Sequence, residues 1–173
     1  MKGIIIYSSR TGNTKRMAEK IYDILKDKYE MTIKDINDVE DERETKEYEF
    51  VLLGAWIDKG TVDNKAMKFL KKVENEKVGL FATLGAMPDS EHGKKVIKNL
   101  KELLKNKESL GEYICPGLVD SDLINKLEGI TGKVVQKKVK EKMIKTSLES
   151  RRATEEELIG AGNYFLEKIN RMA

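Results

Sequence analysis

The residues best equipped for chemistry in this 173-residue chain lie close together near its start. Ser8-Ser9-Arg10-Thr11-Gly12-Asn13-Thr14 follows a short apolar run and opens a helical pattern. The hydroxyls of Ser9, Thr11 and Thr14 and the amide of Asn13 are all donors. A helix N-terminus adds unpaired backbone N–H groups and a partial positive charge. Gly12 lets the backbone wrap closely around an anion. The chemistry this pattern indicates is capture of a terminal phosphate by mainly neutral donors, with no required lysine. Other phosphate loops fit poorly. The string Gly-x-x-x-x-Gly-Lys-Ser/Thr of nucleoside-triphosphate loops does not occur, nor does the dinucleotide fingerprint Gly-x-Gly-x-x-Gly. A receiver domain would carry an aspartate at the end of the third strand, where Gly54-Ala55 stand. The bland alternative is a capped helix start whose Ser and Thr serve the cap alone.

Two further segments follow apolar runs. Gly54-Ala55-Trp56-Ile57-Asp58-Lys59-Gly60-Thr61 contains the only tryptophan, and Thr83-Leu84-Gly85-Ala86-Met87-Pro88-Asp89 contains one large apolar side chain in Met87. His92 is the only histidine, which excludes metal sites built on two imidazoles. Cys115 is the only cysteine, so no internal disulfide can form, as suits a reducing cytoplasm. His92 reads as a surface residue and Cys115 as a buried strand residue rather than as catalysts.

The elements that must position these segments alternate. Residues 2–7, 31–36, 49–55, 78–83 and 113–115 are apolar or alternating runs of strand length. Between them, Met17, Ile21, Ile24 and Leu25, then Ala66, Phe69, Leu70 and Val73, then Val96, Ile97, Leu100, Leu103 and Leu104 recur at helical spacing. Asp89 is placed to cap the third helix. The pattern predicts a five-stranded parallel sheet with helices on both faces. Thr154 and Glu157 form a capping-box pattern before a last helix. About 30 residues separate the fifth strand from that helix, more than a compact connection needs. Residues 117–150 therefore read as a helical insertion within a single domain, with Asp120 capping a short helix and Val135, Val139, Met143 and Ile144 striping a basic one.

Ser9-Arg10-Thr11-Gly12-Asn13-Thr14 resembles the Ser/Thr-x-Thr-Gly-Asn-Thr phosphate loop of the flavodoxin family at every specified position, at the matching strand-to-helix junction. The resemblance covers about residues 1–116 and the last helix. It implies a three-layer flavodoxin-like α/β sandwich with strand order 2-1-3-4-5, binding FMN at the carboxyl ends of the strands, where ligands of open α/β sheets sit. It further implies that Ala55, Trp56, Ile57, Asp58, Lys59 and Gly60 form one flavin loop, with Trp56 over a ring face and Gly60 as a point where a peptide can flip. Thr83, Leu84, Gly85, Ala86 and Met87 would form the other, with the backbone of Gly85 and Ala86 toward the pyrimidine edge. A methionine stands where many members of the family carry a tyrosine, and it cannot stack as a plane.

The implied function is electron transfer between a reductase and an acceptor enzyme, in which the flavin carries the chemistry. The alternative is an NAD(P)H-dependent quinone or flavin reductase, which the same fold can host. A third reading is a binding module that docks an acidic partner. Charged residues make up 36% of the chain, against about a quarter in an average protein. Residues 35–49 carry a net charge of −6 and residues 133–152 a net of +6. The basic stretch lacks the interleaved aromatics that stack on bases, so it reads as a solvated face rather than a nucleic-acid site. No apolar run approaches the roughly 20 residues of a membrane span. No signal-peptide layout precedes the first strand, and a cytoplasmic protein is expected.

Overall fold

A computed structural model describes residues 1–119, 122 and 137–172 of the chain. Strand β1 (Lys2–Tyr7) leads into helix α1 (Asn13–Leu25) and then strand β2 (Glu30–Asp35). Strand β3 (Phe50–Asp58) turns into the two-residue strand β4 (Thr61–Val62), followed by helix α2 (Asn64–Lys72). Strand β5 (Lys77–Leu84), helix α3 (Glu91–Leu104) and strand β6 (Glu108–Pro116) complete the sheet. Helices α4 (Lys137–Leu148) and α5 (Glu155–Asn170) follow.

The sheet order is β2-β1-β3-β5-β6, all parallel, with β4 paired antiparallel to β3 alone. With β4 set aside as a side branch, this is the expected 2-1-3-4-5 order. The pleat divides the core into two layers. Ile4, Ile6, Val51, Leu53, Leu80 and Ala82 point toward α2 and α3, where they meet Phe69, Leu70, Val96 and Leu100. Ile5, Phe50, Leu52 and Phe81 point toward α1 and α5, where they meet Met17, Ile21, Phe165 and Ile169. Continuous apolar runs were the signature of strands buried on both faces, and that is what the central strands are.

Several boundaries differ from the sequence expectation. β3 runs to Asp58 rather than stopping at Ala55, because Trp56 is held in register with Thr83 and the hairpin to β4 continues the ladder. β6 begins at Glu108, not Tyr113, since pairing with β5 draws in a polar stretch around a bulge near Gly111. The acidic segment expected as loop holds two 3₁₀ turns, Ile36–Asp38 and Glu42–Glu47. Ser90, not Asp89, caps α3, its hydroxyl accepting from Gly93 N–H at 3.1 Å. The expected short helix at Asp120 falls outside the described residues, apart from Asp122, as does Val135 of the basic stripe.

The capping box of α5 is present as the sequence predicts. Thr154 Oγ1 accepts from Glu157 N–H at 3.2 Å, and Glu157 Oε2 accepts from Thr154 N–H at 2.8 Å. Arg151 grips the same carboxylate with two bonds of 2.8 Å. That fork is the main reason the Glu157 carboxyl falls from its ordinary 4.5 to about 2. A lowered carboxyl stabilises the folded state at neutral pH, and the contribution is lost as pH falls from about 4.5 toward about 2. Glu157→Gln should cost about 1 kcal/mol at pH 7 and flatten the acid limb of stability in that window, as read by urea unfolding at stepped pH.

Candidate functional site

Parallel register sends four strand ends to one edge. Tyr7 pairs with Gly54, Trp56 with Thr83, and Thr83 with Cys115, so the segments after β1, β3, β5 and β6 leave the sheet side by side. The phosphate-loop sequence sits first in this row. Gly12 caps α1 with φ +86°, a left-handed conformation that disfavours any side chain, and a Cβ placed there would meet nothing within 4 Å. That open cradle lies where the first amides of α1 have no preceding carbonyl to bond. Ser9 Oγ accepts from the N–H groups of Gly12 and Lys15, each at 3.2 Å, and so gathers the loop around itself. Asn13 Nδ2 donates to Thr11 Oγ1 and to the Leu118 carbonyl, both at 2.9 Å. The Ser9 and Thr11 hydroxyls accept in these bonds and keep their own hydrogens, which with the first backbone N–H groups of α1 suit an anion such as the phosphate of FMN.

Thr14, expected to contact the phosphate, is buried. Its side chain is 1% exposed and its hydroxyl shares a 2.9 Å hydrogen bond with Thr83 Oγ1. It therefore braces the end of β5, as does Thr83, whose hydroxyl is turned inward rather than toward the loops. Ala55 and Leu84 likewise point into the α2–α3 core layer, and Ile57 packs against it. Ala55 and Leu84 are buried, while Ile57 keeps part of its side chain in the open.

Trp56 falls on the other side of the pleat from Ala55 and Ile57, the side of α1. It is half-buried, and the Arg10 guanidinium lies 5.6 Å from the centre of its ring. Beyond it, Asp58 pairs with Thr61, so only Lys59 and Gly60 form the turn. Their φ values of +50° and +84° match the type I′ hairpin, which needs left-handed residues at both positions. The Gly60 carbonyl accepts from Asn99 Nδ2 at 2.7 Å, a bond that any flip of this peptide must break. Gly85, Ala86 and the exposed Met87 stand at the rim after β5.

Four features of this edge were not read from the sequence. Ser8 Oγ donates to Asp63 Oδ1 at 3.0 Å inside the fold. The same oxygen accepts from the N–H groups of Lys65 and Ala66 and so caps α2, while Asp63 N–H donates to the Trp56 carbonyl. Asn99 anchors the hairpin. Residues 117–119, assigned to the insertion, reach the site: Gly117 N–H donates to the Leu84 carbonyl at 2.8 Å, and Val119 Cγ2 lies 2.3 Å from where a Cβ on Gly85 would stand. Only the Asp63 cap had a local signal, an aspartate just before a helical pattern. The rest depend on side chains meeting across the fold.

The fold and this edge define an open, parallel α/β sheet whose strand ends gather the candidate loops on one side. The chain belongs to the flavodoxin domain family, whose sequence model matches residues 4–165. That family is one of FMN-binding electron-transfer proteins. Among curated relatives, the flavodoxin-like domain-containing protein BilS of Clostridioides difficile is 38% identical over 125 residues, covering 71% of this chain and 70% of that protein. BilS of Clostridium symbiosum is 29% identical over 143 residues, covering 73% of each. Among solved structures, the flavodoxin of Streptococcus pneumoniae TIGR4 superposes with a TM-score of 0.61 at 14% identity over 99% of both chains. A short-chain flavodoxin associated with a non-canonical PDU bacterial microcompartment gives 0.64 at 11% identity over 100% of this chain and 99% of that one. At such identities these superpositions establish the fold. No helix among the described residues is long and apolar enough to cross a membrane.

The turn geometry and the Asp63 cap make opposite predictions for stability. Lys59→Asn should raise it by about 0.5–1 kcal/mol, since asparagine adopts the left-handed conformation more readily. Asp63→Ala should lower it by about 2 kcal/mol, through loss of a helix cap and of the acceptor for buried Ser8. Denaturant titration of the two variants reads both effects.

Proposed function

We propose that the chain is a single-domain, cytoplasmic FMN carrier that passes electrons from a reductase to an acceptor enzyme, with residues 117–150 inserted before its last helix. The observation that carries this reading is the convergence of the phosphate loop, Trp56 and the Gly85–Ala86–Met87 segment on one edge of a parallel sheet. FMN, when bound, supplies the redox chemistry. The chain's own residues bind it, orient it and set the charge around it. Ser9, Thr11, Gly12, Asn13 and the backbone of Thr14 would hold the phosphate, with Arg10 as the nearby cation. Trp56 would cover one ring face and shield it from water. The backbone of Gly85 and Ala86 would address the pyrimidine edge, with Met87 on the rim and Asp58 and Lys59 on the hairpin beside them. A cytoplasmic setting suits the single thiol: burial pushes Cys115 up to about 12, so it stays protonated, and its Sγ lies 3.7 Å from the Glu157 carbonyl.

Heating the purified protein should release FMN, seen in the absorption spectrum of the supernatant. Two threonines in one loop then separate phosphate recognition from bracing. Thr11→Ala should weaken FMN by about tenfold, the worth of one hydrogen bond to a charged group, and leave riboflavin unchanged. Thr14→Ala should weaken both flavins by the same factor, because its hydroxyl supports β5 rather than the ligand. Stopped-flow mixing with NADH and with NADPH should leave the flavin oxidised until a reductase is added. Rapid bleaching by either nucleotide alone would replace the carrier reading with that of an NAD(P)H-dependent quinone or flavin reductase. Transfer to a partner protein should slow as salt rises, because the Debye length shrinks to about 8 Å at physiological ionic strength.

A further inference from the structure

The phosphate loop and Trp56 are joined by a contact that neither loop requires for its own shape. Arg10 stands at the middle of the phosphate loop, exposed, with its guanidinium over the Trp56 indole at 5.6 Å from the ring centre. Arg16, Arg43, Arg151 and Arg171 each pair with a carboxylate, and of the other two arginines, Arg10 and Arg152, only Arg10 lies over an aromatic ring among the described residues. Arg10 makes no ion pair among the described residues, so the indole face is its partner. Trp56 is also the only tryptophan in the chain.

We propose that Arg10 makes stacking on Trp56 conditional on a phosphate in the loop, and so selects phosphorylated flavins over unphosphorylated ones. This rests on the reading of the site as an FMN site. An exposed guanidinium over a half-buried indole is held weakly, whereas a phosphate dianion offers the same planar fork two charge-assisted hydrogen bonds. Both acceptors lie within reach of one side chain, because Arg10 belongs to the loop that holds the phosphate. An exposed side chain changes rotamer within nanoseconds, so the exchange has no slow step. A dianion in the loop draws the guanidinium off the indole and leaves that face open to a flat ring. A flavin without phosphate must displace Arg10 unaided, and Arg10 then opposes binding. The same residue thus favours FMN and disfavours riboflavin, which a residue that merely supports the loop cannot do.

The test uses the full chain freed of flavin, with Trp56 fluorescence as the reporter. Titration with inorganic phosphate should shift the Trp56 emission saturably to longer wavelength, as water replaces the guanidinium over the ring. Arg10→Gln should abolish that shift. The ratio of riboflavin to FMN dissociation constants should fall by about tenfold or more in Arg10→Gln, with FMN weakened and riboflavin unchanged or tightened. Arg10→Lys, which keeps the charge but not the planar fork, should recover part of the ratio. If Arg10→Gln weakens both flavins equally, or if phosphate leaves the emission of the native chain unchanged, the coupling is overturned while the FMN site stands. If the native chain binds no FMN, the reading of the site itself fails.

Discussion

The edge that gathers the phosphate loop and the tryptophan hairpin depends on one buried hydrogen bond, from Ser8 Oγ to Asp63 Oδ1 at 3.0 Å. Ser8 is the last residue before the phosphate loop and Asp63 the first after the hairpin, so the bond fixes how far apart the two may sit. Asp63 is 2% exposed, and an isolated carboxylate at that depth would be costly. The Ser8 hydroxyl and the first amides of α2 offset the cost, all on the same oxygen. The other oxygen, Oδ2, is buried with no hydrogen-bond partner among the described residues. The Asp63 N–H to Trp56 carbonyl bond closes the arrangement by setting where the tryptophan leaves the strand.

The wall opposite this hinge comes from residues expected to belong to an insertion, although the family's sequence model spans them. Residues 117–119 run from the end of β6 across the mouth of the phosphate loop, held by Asn13, by the Leu84 carbonyl and by Ser150 Oγ, which accepts from Val119 N–H at 2.9 Å. Ser150 follows α4 closely, so the carboxyl end of the basic helix is tied to the candidate cofactor site rather than to a remote surface.

The two charged segments behave differently in the folded chain. The acidic one is partly neutralised by its surroundings: Glu44 pairs with Lys34, Glu42 with Lys72 and Glu47 with Lys2, while Asp41 pairs with Arg43 inside the segment. On α4, Lys137 and Lys145 reach only their own helix's glutamates, at 4.0 and 3.9 Å, in exposed pairs that count for little.

Much of this was legible in the residues themselves. Continuous Ile, Val and Leu runs marked strands buried on both faces, helical spacing marked α1, α2 and α3, and the Thr154–Glu157 pair marked the start of α5, because each signal is local in the chain. The strand-to-helix turn at residues 8–14 was legible for the same reason: seven adjacent residues carry its whole pattern. What residue order could not specify was which way each side chain turns once strands pair. Thr11 and Thr14 look alike in sequence, yet the helix turns Thr14 inward onto Thr83. The pleat sends Ala55 and Ile57 to the core and Trp56 to the site. The Asn99 anchor, the Ser8–Asp63 bond and the approach of Val119 to Gly85 all join residues far apart in the chain. Such contacts exist only after the sheet has set its register, since pairing energy between strands, not local preference, decides which distant groups share a buried place.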